Sequence, residues 1–140
     1  MPDLLQEALD WCDDHGLTFD FINSNDPALV AHYGFDPRKI SAHFYIDDRS
    51  GPGDPFQHWY LLFLMERLAK LKKGAILAVD FDGTLCREIW PEIGVPNLPL
   101  IDALCQARAD GYLLTLWTCR EHPAELSASA PSRAERKAPL

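Results

Sequence analysis

Two aspartates separated by one residue follow a run of apolar side chains near the middle of the chain. Residues 75 to 79 read Ala-Ile-Leu-Ala-Val, and Asp80-Phe-Asp82-Gly83-Thr84 comes directly after them. A continuous apolar run that ends in a turn signal is typical of a strand buried in a parallel sheet, where ligands bind beyond the carboxyl ends of the strands. Asp82-Gly83 is also the signature of a hairpin turn. The spacing therefore indicates either two carboxylates that act on one ligand or a plain hairpin.

The segment from Asp80 to Leu85 resembles motif I of the haloacid dehalogenase superfamily, Asp-x-Asp-Gly-Thr. The resemblance implies that Asp80 is the nucleophile that accepts a phosphoryl group. It also implies that Asp82 is the acid/base that protonates the leaving oxygen and later activates water. An aspartate in the second position points to the phosphatases and phosphomutases of the superfamily. The spacing suits this chemistry because both carboxylates can reach one substrate while Phe81 packs into the core.

Polar residues elsewhere resemble the other motifs of the superfamily. Thr118 follows a predicted strand and resembles motif II, whose hydroxyl holds a phosphoryl oxygen. Asp47 and Asp48 follow another predicted strand and resemble motif IV, the acidic pair of a magnesium site, and Lys39 resembles the cation of motif III. Each also has an ordinary explanation, because strand-end threonines cap turns, acidic pairs occupy solvated loops and lone lysines lie on surfaces.

A metal ion follows from the chemistry that the resemblance implies. A phosphoryl group adds charge to an acidic pocket, so Mg2+ and a lysine must offset that charge before an aspartate attacks. The implied protein ligands are Asp80, one or both of Asp47 and Asp48, and the backbone carbonyl of Asp82. We expect Asp48 to be the direct ligand of the acidic pair, with Asp47 holding Lys39 or a bound water. If Lys39 lies elsewhere, the substitute cations are Arg49 and Arg120.

The motifs occur in an unusual order along the chain. Motifs III and IV precede motif I, whereas the superfamily runs from I to IV, and this order implies a circular permutation. Residues 5 to 12 support it, since they resemble a helix that follows motif II in small cap-less members. The resemblance covers roughly residues 4 to 59 and 74 to 126. The part of the connecting helix 56 to 73 that falls outside it, from about residue 60 to 73, would be the new connection. The resemblance implies one domain over residues 1 to 126, as a monomer or a domain-swapped homodimer.

Composition limits the class of protein. With 140 residues and 47% hydrophobic content, the chain can form one domain with one core. A formal net charge of −8 argues against a nucleic-acid-binding face and favours a small soluble partner. The resemblance implies that this partner is a small phosphorylated substrate, with nucleic acid only as a phosphorylated end. The four cysteines have no metal-site or disulfide spacing, and no apolar run is long enough to span a membrane. We therefore expect a cytoplasmic protein with no membrane partner.

Helices alternate with strands along the chain, which predicts an α/β fold with a single Rossmann-like parallel sheet flanked by helices. The predicted helices are residues 3 to 15, 28 to 33, 56 to 73 and 100 to 110. The predicted strands are residues 17 to 23, 42 to 46, 75 to 79 and 112 to 117. We expect residues 87 to 99 to be irregular, because they contain three prolines, and residues 127 to 140 to be a disordered tail. The permutation predicts the spatial strand order 42–46, 75–80, 112–117, 18–23.

The resemblance to the superfamily implies a hydrolase, a Mg2+-dependent phosphatase that forms an aspartyl-phosphate intermediate at an open site. One alternative is a catalytically degenerate interaction module, which the shuffled motif order and the apolar helix 56 to 73 favour. A phosphomutase is a third possibility, with the same aspartates. It would need a substrate-recognition cap, and residues 86 to 99 are too few to form a large one.

Overall fold

A four-stranded parallel sheet forms the centre of the domain. The structure is a computed structural model that describes residues 3–24, 27–34, 40–49 and 53–120. Its elements in chain order are α1 (Leu4–Asp14), β1 (Phe21–Ile22), α2 (Pro27–Tyr33), β2 (Phe44–Ile46), α3 (His58–Ala69), β3 (Ile76–Asp80), β4 (Cys86–Ile89), β5 (Glu92–Pro96), α4 (Leu98–Ala109) and β6 (Leu113–Trp117). The strand order across the sheet is β1-β6-β3-β2. The predicted spatial order is confirmed.

The two central strands are β3 and β6, which pair from Ile76 beside Leu113 to Asp80 beside Trp117. The inner residues of both strands are buried. Continuous apolar strands of this kind are stable only where both faces of the sheet are covered. The prediction of an α/β fold with a parallel sheet flanked by helices is therefore confirmed.

Side-chain caps fix where the two helices on the core begin. The carboxylate of Asp3 accepts the N–H of Gln6 at 2.9 Å at the start of α1. The side-chain oxygen of Asn97 accepts the N–H of Leu100 at the start of α4. Such caps satisfy N–H groups that the first turn of a helix leaves unpaired. Both helices then pack apolar residues into the core: Leu5, Ala8, Leu9 and Cys12 from α1, and Leu100, Ile101, Leu104 and Ala107 from α4.

The edge strands β1 and β2 are shorter than predicted, because side chains take over part of the backbone pairing. Before β1, the carboxylate of Asp20 accepts the N–H of Leu114 at 2.8 Å. Before β2, ring nitrogen Nδ1 of His43 accepts the N–H of Ile76 at 2.9 Å. Short edge strands offer few unpaired backbone groups to another chain.

Helix α3 differs from the predicted helix 56 to 73 in length and in burial. The carboxylate of Asp54 accepts the N–H of Phe56 at 2.9 Å and forms a turn before the helix, so α3 begins at His58 and not at Phe56. Only Tyr60 and Leu64 of α3 are buried. Three large apolar side chains of this helix are exposed: Trp59, Leu62 and Met65. The prediction that α3 is apolar on most of its surface holds, but much of that surface faces outward.

The prediction that residues 87 to 99 are irregular is wrong. Strands β4 and β5 form an antiparallel hairpin there, whose turn contains Trp90 and Pro91, joined by a cis peptide bond. The prolines are compatible with the hairpin because Pro91 lies in the turn and Pro96 ends β5, where a missing N–H disturbs little of the pairing. Helix α4 contains the third proline, Pro99, in its first turn, where no N–H is needed.

Some predictions concern residues outside the described ranges. These are the tail, residues 127 to 140, and the domain boundary at residue 126. Within the ranges that are described, no helix is both long enough and apolar enough to cross a membrane.

Candidate active site

The candidate site lies at the carboxyl end of β3. Asp80 is the last residue of this strand, and Asp82 follows two positions later. Between them Phe81 is fully buried and meets the Trp11 ring edge-on, with 5.4 Å between the ring centroids. The next turn is closed by the N–H of Leu85, which donates to the Phe81 carbonyl at 3.0 Å. Phe81 therefore anchors the turn that carries both aspartates.

Asp80 is partly buried in an acidic surrounding. Its Oδ1 accepts the N–H of Phe81 at 2.9 Å, an interaction that favours the charged form. Burial, together with the negative charges of Asp48, Asp47 and Asp82, nonetheless raises the pKa of Asp80 to about 7. A perturbed carboxyl group among other carboxylates is a candidate for chemistry, because a bound cation would favour its charged form again.

Asp48 lies against the turn that follows β3. Gly83 has φ of +83°, and a Cβ built on it would lie 2.6 Å from Oδ2 of Asp48. Only glycine fits this position without a shift, because it tolerates the backbone conformation and leaves room for the carboxylate. The loop after β2 therefore brings Asp48 to the turn that carries Asp82.

Asp47 has a different environment from Asp48. It is buried, and its Oδ1 accepts the N–H of Arg49 at 2.9 Å, while its backbone carbonyl accepts the Tyr60 hydroxyl at 3.3 Å. Burial, followed by the charge of Asp47, raises the pKa of Tyr60 to about 12. The tyrosine thus remains a neutral donor that fixes the loop after β2 to α3. Asp47 therefore takes part in hydrogen bonds of the loop after β2, whereas Asp48 is exposed at the turn after β3.

Arg120 holds Asp82 with two parallel hydrogen bonds. Nε donates to Oδ2 of Asp82 at 2.9 Å, and Nη2 donates to Oδ1 at 2.8 Å. The same guanidinium donates to the carbonyls of Pro91 and Glu92, both at 2.9 Å. Its Cζ lies 5.2 Å from the ring centroid of Phe81 and 5.0 Å from that of Trp90. These contacts explain why a charged side chain can be 0% exposed.

Thr118 lies at the end of β6 and is buried. Its Oγ1 accepts the backbone N–H of Arg120 at 3.1 Å, and its own N–H donates to Oδ1 of Asn23 at 2.9 Å. The hydroxyl therefore has the capping role that is common at strand ends. Because a hydroxyl both accepts and donates, its proton can still be directed to a ligand oxygen.

Thr84 and Asn97 complete the turn from the side of α4. The amide of Asn97 donates to the carbonyls of Pro55 at 2.9 Å and Thr84 at 3.0 Å. This side chain, which follows β5, therefore connects the hairpin to the turn after β3 and to the segment before α3. The Thr84 hydroxyl is fully buried and has no hydrogen-bond partner among the described residues. A buried hydroxyl without a partner is uncommon in folded proteins.

The structure brings the four predicted aspartates together, whereas the position of Lys39 is not described. Asp80, Asp82, Asp47 and Asp48 all lie near the end of β3, where their charges act on one another. Lys39 lies outside the described residues. In the part of the chain that is described, no three acidic, histidine or cysteine side chains are close enough together to hold a metal ion.

The roles of Arg120 and Asn97 could not be predicted from the sequence. Arg120 was expected only as a substitute for Lys39, but its donors are used on Asp82 and on two carbonyls of the hairpin. The position of Arg120, two residues after Thr118, indicated that it lies near the site. Its burial was not predictable, because it depends on the β4–β5 hairpin, which the sequence did not predict. Asn97 precedes an apolar stretch, which is an N-cap signal. Its two donor contacts are long-range and have no local pattern.

The fold and site define a Rossmann-like α/β domain with a cluster of carboxylates at the carboxyl end of a central strand. No protein-family model matches the chain. No curated protein and no solved structure matches it either.

Proposed function

We propose that the protein is a phosphomonoester hydrolase that works through a covalent phosphoryl intermediate on Asp80. The observation that supports this most directly is the environment of Asp80, a partly buried carboxyl group whose pKa is raised to about 7 beside three other aspartates. Such a cluster is costly to the fold unless a ligand supplies positive charge, so it is the pattern expected of a functional site. The resemblance to motif I gives the cluster its chemistry.

The proposed reaction has two steps. A carboxylate oxygen of Asp80 forms a bond to phosphorus while the bond from phosphorus to the ester oxygen breaks, and Asp82 gives a proton to that leaving oxygen. Water then attacks phosphorus, Asp82 takes the proton of the water, and inorganic phosphate leaves Asp80 as a carboxylate again. Thr118 donates its hydroxyl proton to a phosphoryl oxygen, and Arg120 fixes the orientation of Asp82.

The described residues offer no group of three metal-ligating side chains, but Mg2+ prefers oxygen ligands and keeps several waters, so two carboxylates and one carbonyl near Asp80 would be a sufficient donor set. Asp80, Asp48 and the Asp82 backbone carbonyl would hold the ion, with Asp47 in support. When bound, Mg2+ offsets the charge that the carboxylates and the phosphoryl group bring together. Lys39 is the proposed second cation.

We further infer that the chain is a circularly permuted, cap-less relative of the haloacid dehalogenase superfamily. The strand order β1-β6-β3-β2 supports this inference, because it joins the proposed motif II strand to the amino-terminal strand. The substrate is then a small phosphorylated molecule, and the cysteines, all four free, suit a cytoplasmic location.

Steady-state assays with purified protein test the proposed hydrolase. Mg2+ should support turnover of p-nitrophenyl phosphate, chelation should abolish it, and Asp80→Asn should lower kcat by at least about 1,000-fold. Glu88→Gln, which changes an exposed acid on β4, is the matched control and should keep kcat within about twofold. Turnover that survives Asp80→Asn in repurified protein would exclude Asp80 as the nucleophile.

A second candidate function is an interaction module, and one observation favours it. The outward face of α3 exposes Trp59, Leu62 and Met65, which lie three residues apart and therefore near one another on the helix. Absence of Mg2+-dependent turnover, combined with a change of oligomeric state in Leu62→Glu, would support this candidate over the enzyme.

A further inference from the structure

Two exposed tryptophans belong to the segments that carry the candidate site. Trp90 is 52% exposed at the hairpin turn, and Trp117 is 43% exposed at the end of β6. Covering a large aromatic side chain lowers the free energy of the system, so a half-exposed indole beside a polar site is suited to contact a ligand.

Trp117 lies beside the proposed nucleophile. It is the register partner of Asp80 in the pairing of β3 with β6, and it directly precedes Thr118. Neighbouring strands are about 4.8 Å apart, and paired residues of parallel strands project from the same face of the sheet. The side chains of Trp117 and Asp80 therefore leave neighbouring backbone positions on the same face of the sheet.

Trp90 lies beside the partner of the proposed acid/base. Its ring centroid is 5.0 Å from Cζ of Arg120, and the same guanidinium holds both carboxylate oxygens of Asp82. Arg120 also donates to the carbonyls of Pro91 and Glu92, which follow Trp90 directly. The hairpin turn is thereby fixed, and Trp90 and Asp82 contact the same guanidinium while half of the tryptophan side chain stays exposed.

We propose that Trp117 and Trp90 form a subsite for a planar aromatic group on the substrate, next to the position of the phosphoryl group. The proposal rests on the proposed function, since the phosphoryl group defines which end of the substrate reaches Asp80. Planar rings stack on indole faces with little dependence on ring identity, so aryl groups and nucleobases share the required chemistry. The net charge of −8 favours a small monoester over a polyanion.

A matched pair of substrates isolates the contribution of the ring. Benzyl phosphate and cyclohexylmethyl phosphate have similar size and similar alcohol leaving groups, but only the first carries an aromatic ring. We expect kcat/KM to be about tenfold higher for benzyl phosphate, mainly through a lower KM. Adenosine 5′-monophosphate against ribose 5-phosphate forms a second pair, which distinguishes a nucleobase from an aryl group attached close to the ester.

Variants of the two tryptophans then assign the preference. Trp117→Leu and Trp90→Leu should each lower the aromatic-to-saturated ratio of kcat/KM severalfold, whereas Trp117→Phe should retain most of it. Trp59→Leu, at an indole of similar exposure on α3, is the control and should leave the ratio unchanged. Equal kcat/KM for both members of each pair, or an unchanged ratio in both leucine variants, would overturn the subsite even if the protein is a phosphatase.

Binding to the Asp80→Asn chain separates this proposal from the proposed function. Calorimetry should show tighter binding of benzyl phosphate than of cyclohexylmethyl phosphate, and Trp117→Leu in the same background should remove the difference. Preferential binding without turnover by the unmodified chain would support the subsite and refute the hydrolase. Equal affinity for the two esters, or no binding of either, would refute the subsite.

Discussion

Replacing Asp80 by asparagine should stabilise the fold at pH 8 and change it little at pH 4. The pKa of Asp80 is raised from 3.8 to about 7 by burial and by the charges of neighbouring aspartates. The folded state therefore holds its proton more tightly than the unfolded state does. Stability is lost as pH rises from about 4 to 7, the reverse of the usual behaviour of a carboxyl group. Asparagine has no such charge, and its side-chain oxygen can still accept the N–H of Phe81.

The size of the effect follows from the difference between the two pKa values. Each unit corresponds to about 1.4 kcal/mol, so a rise of about three units would cost about 4 kcal/mol for a fully shielded group. Asp80 is only partly buried, and solvent screening reduces the cost to about 2 kcal/mol. For a chain of this length, that corresponds to an increase of about 6 to 8 °C in Tm at pH 8 for Asp80→Asn.

Urea unfolding followed by circular dichroism at pH 4 and pH 8, with a chelator present, measures this difference. The two pH values lie on either side of the sequence pI of about 4.9, where solubility is poorest. Glu88→Gln removes an exposed carboxyl group and is the control, for which no comparable pH-dependent gain is expected. The reasoning is refuted if the free energy of unfolding of Asp80→Asn relative to the unmodified chain is the same at both pH values.

Three substitutions, with Gly74→Ala as a control for the first, test the construction of the site by urea unfolding. Gly83→Ala should cost about 2 to 3 kcal/mol because its Cβ would meet Asp48, whereas Gly74→Ala, also at positive φ but with no atom within 4 Å, should cost about 1 kcal/mol. Equal costs would show that backbone conformation alone matters. Arg120→Met should cost about 3 to 5 kcal/mol, since it leaves a carboxylate and two carbonyls without their donor, and a loss below 1 kcal/mol would contradict the ion pair. Asn97→Ala should cost about 2 to 3 kcal/mol through loss of the helix cap and of two buried hydrogen bonds, and a neutral effect would argue against these contacts.

The central part of the fold was predictable because local pattern and burial agree there. Residues 75 to 79 form a continuous apolar run and residues 112 to 117 are apolar except for Thr115, and both segments form central strands. The strand order was predictable only through the resemblance, since periodicity does not indicate which strands pair. Local pattern failed at the edges, where Asp20 and His43 replace backbone pairing by contacts with residues distant in sequence.

The candidate site was predictable where chemistry is carried by adjacent residues. Asp80 and Asp82 lie in one turn, and the position of Asp48 beside that turn follows from the strand order. The role of Arg120 was not predictable, because it depends on a hairpin whose prolines indicated irregular structure and on carbonyl acceptors that every residue possesses. Whether Asp47 or Asp48 lies against the turn after β3 is likewise determined by packing, and the local sequence of the acidic pair does not indicate it.

The pairing of β1 with β6 has a consequence for synthesis of the protein. The N–H of Thr118 bonds to the side chain of Asn23, which lies 95 residues earlier in the chain. At a translation rate of about 5 to 20 residues per second, roughly 5 to 20 s pass between synthesis of the two partners. During that interval β1 has no β6 to pair with, so a strand that is made before β6 reaches its place in the sheet only after β6 has been synthesised. A nascent chain stalled before β6 is therefore expected to bind a chaperone through its amino-terminal segment.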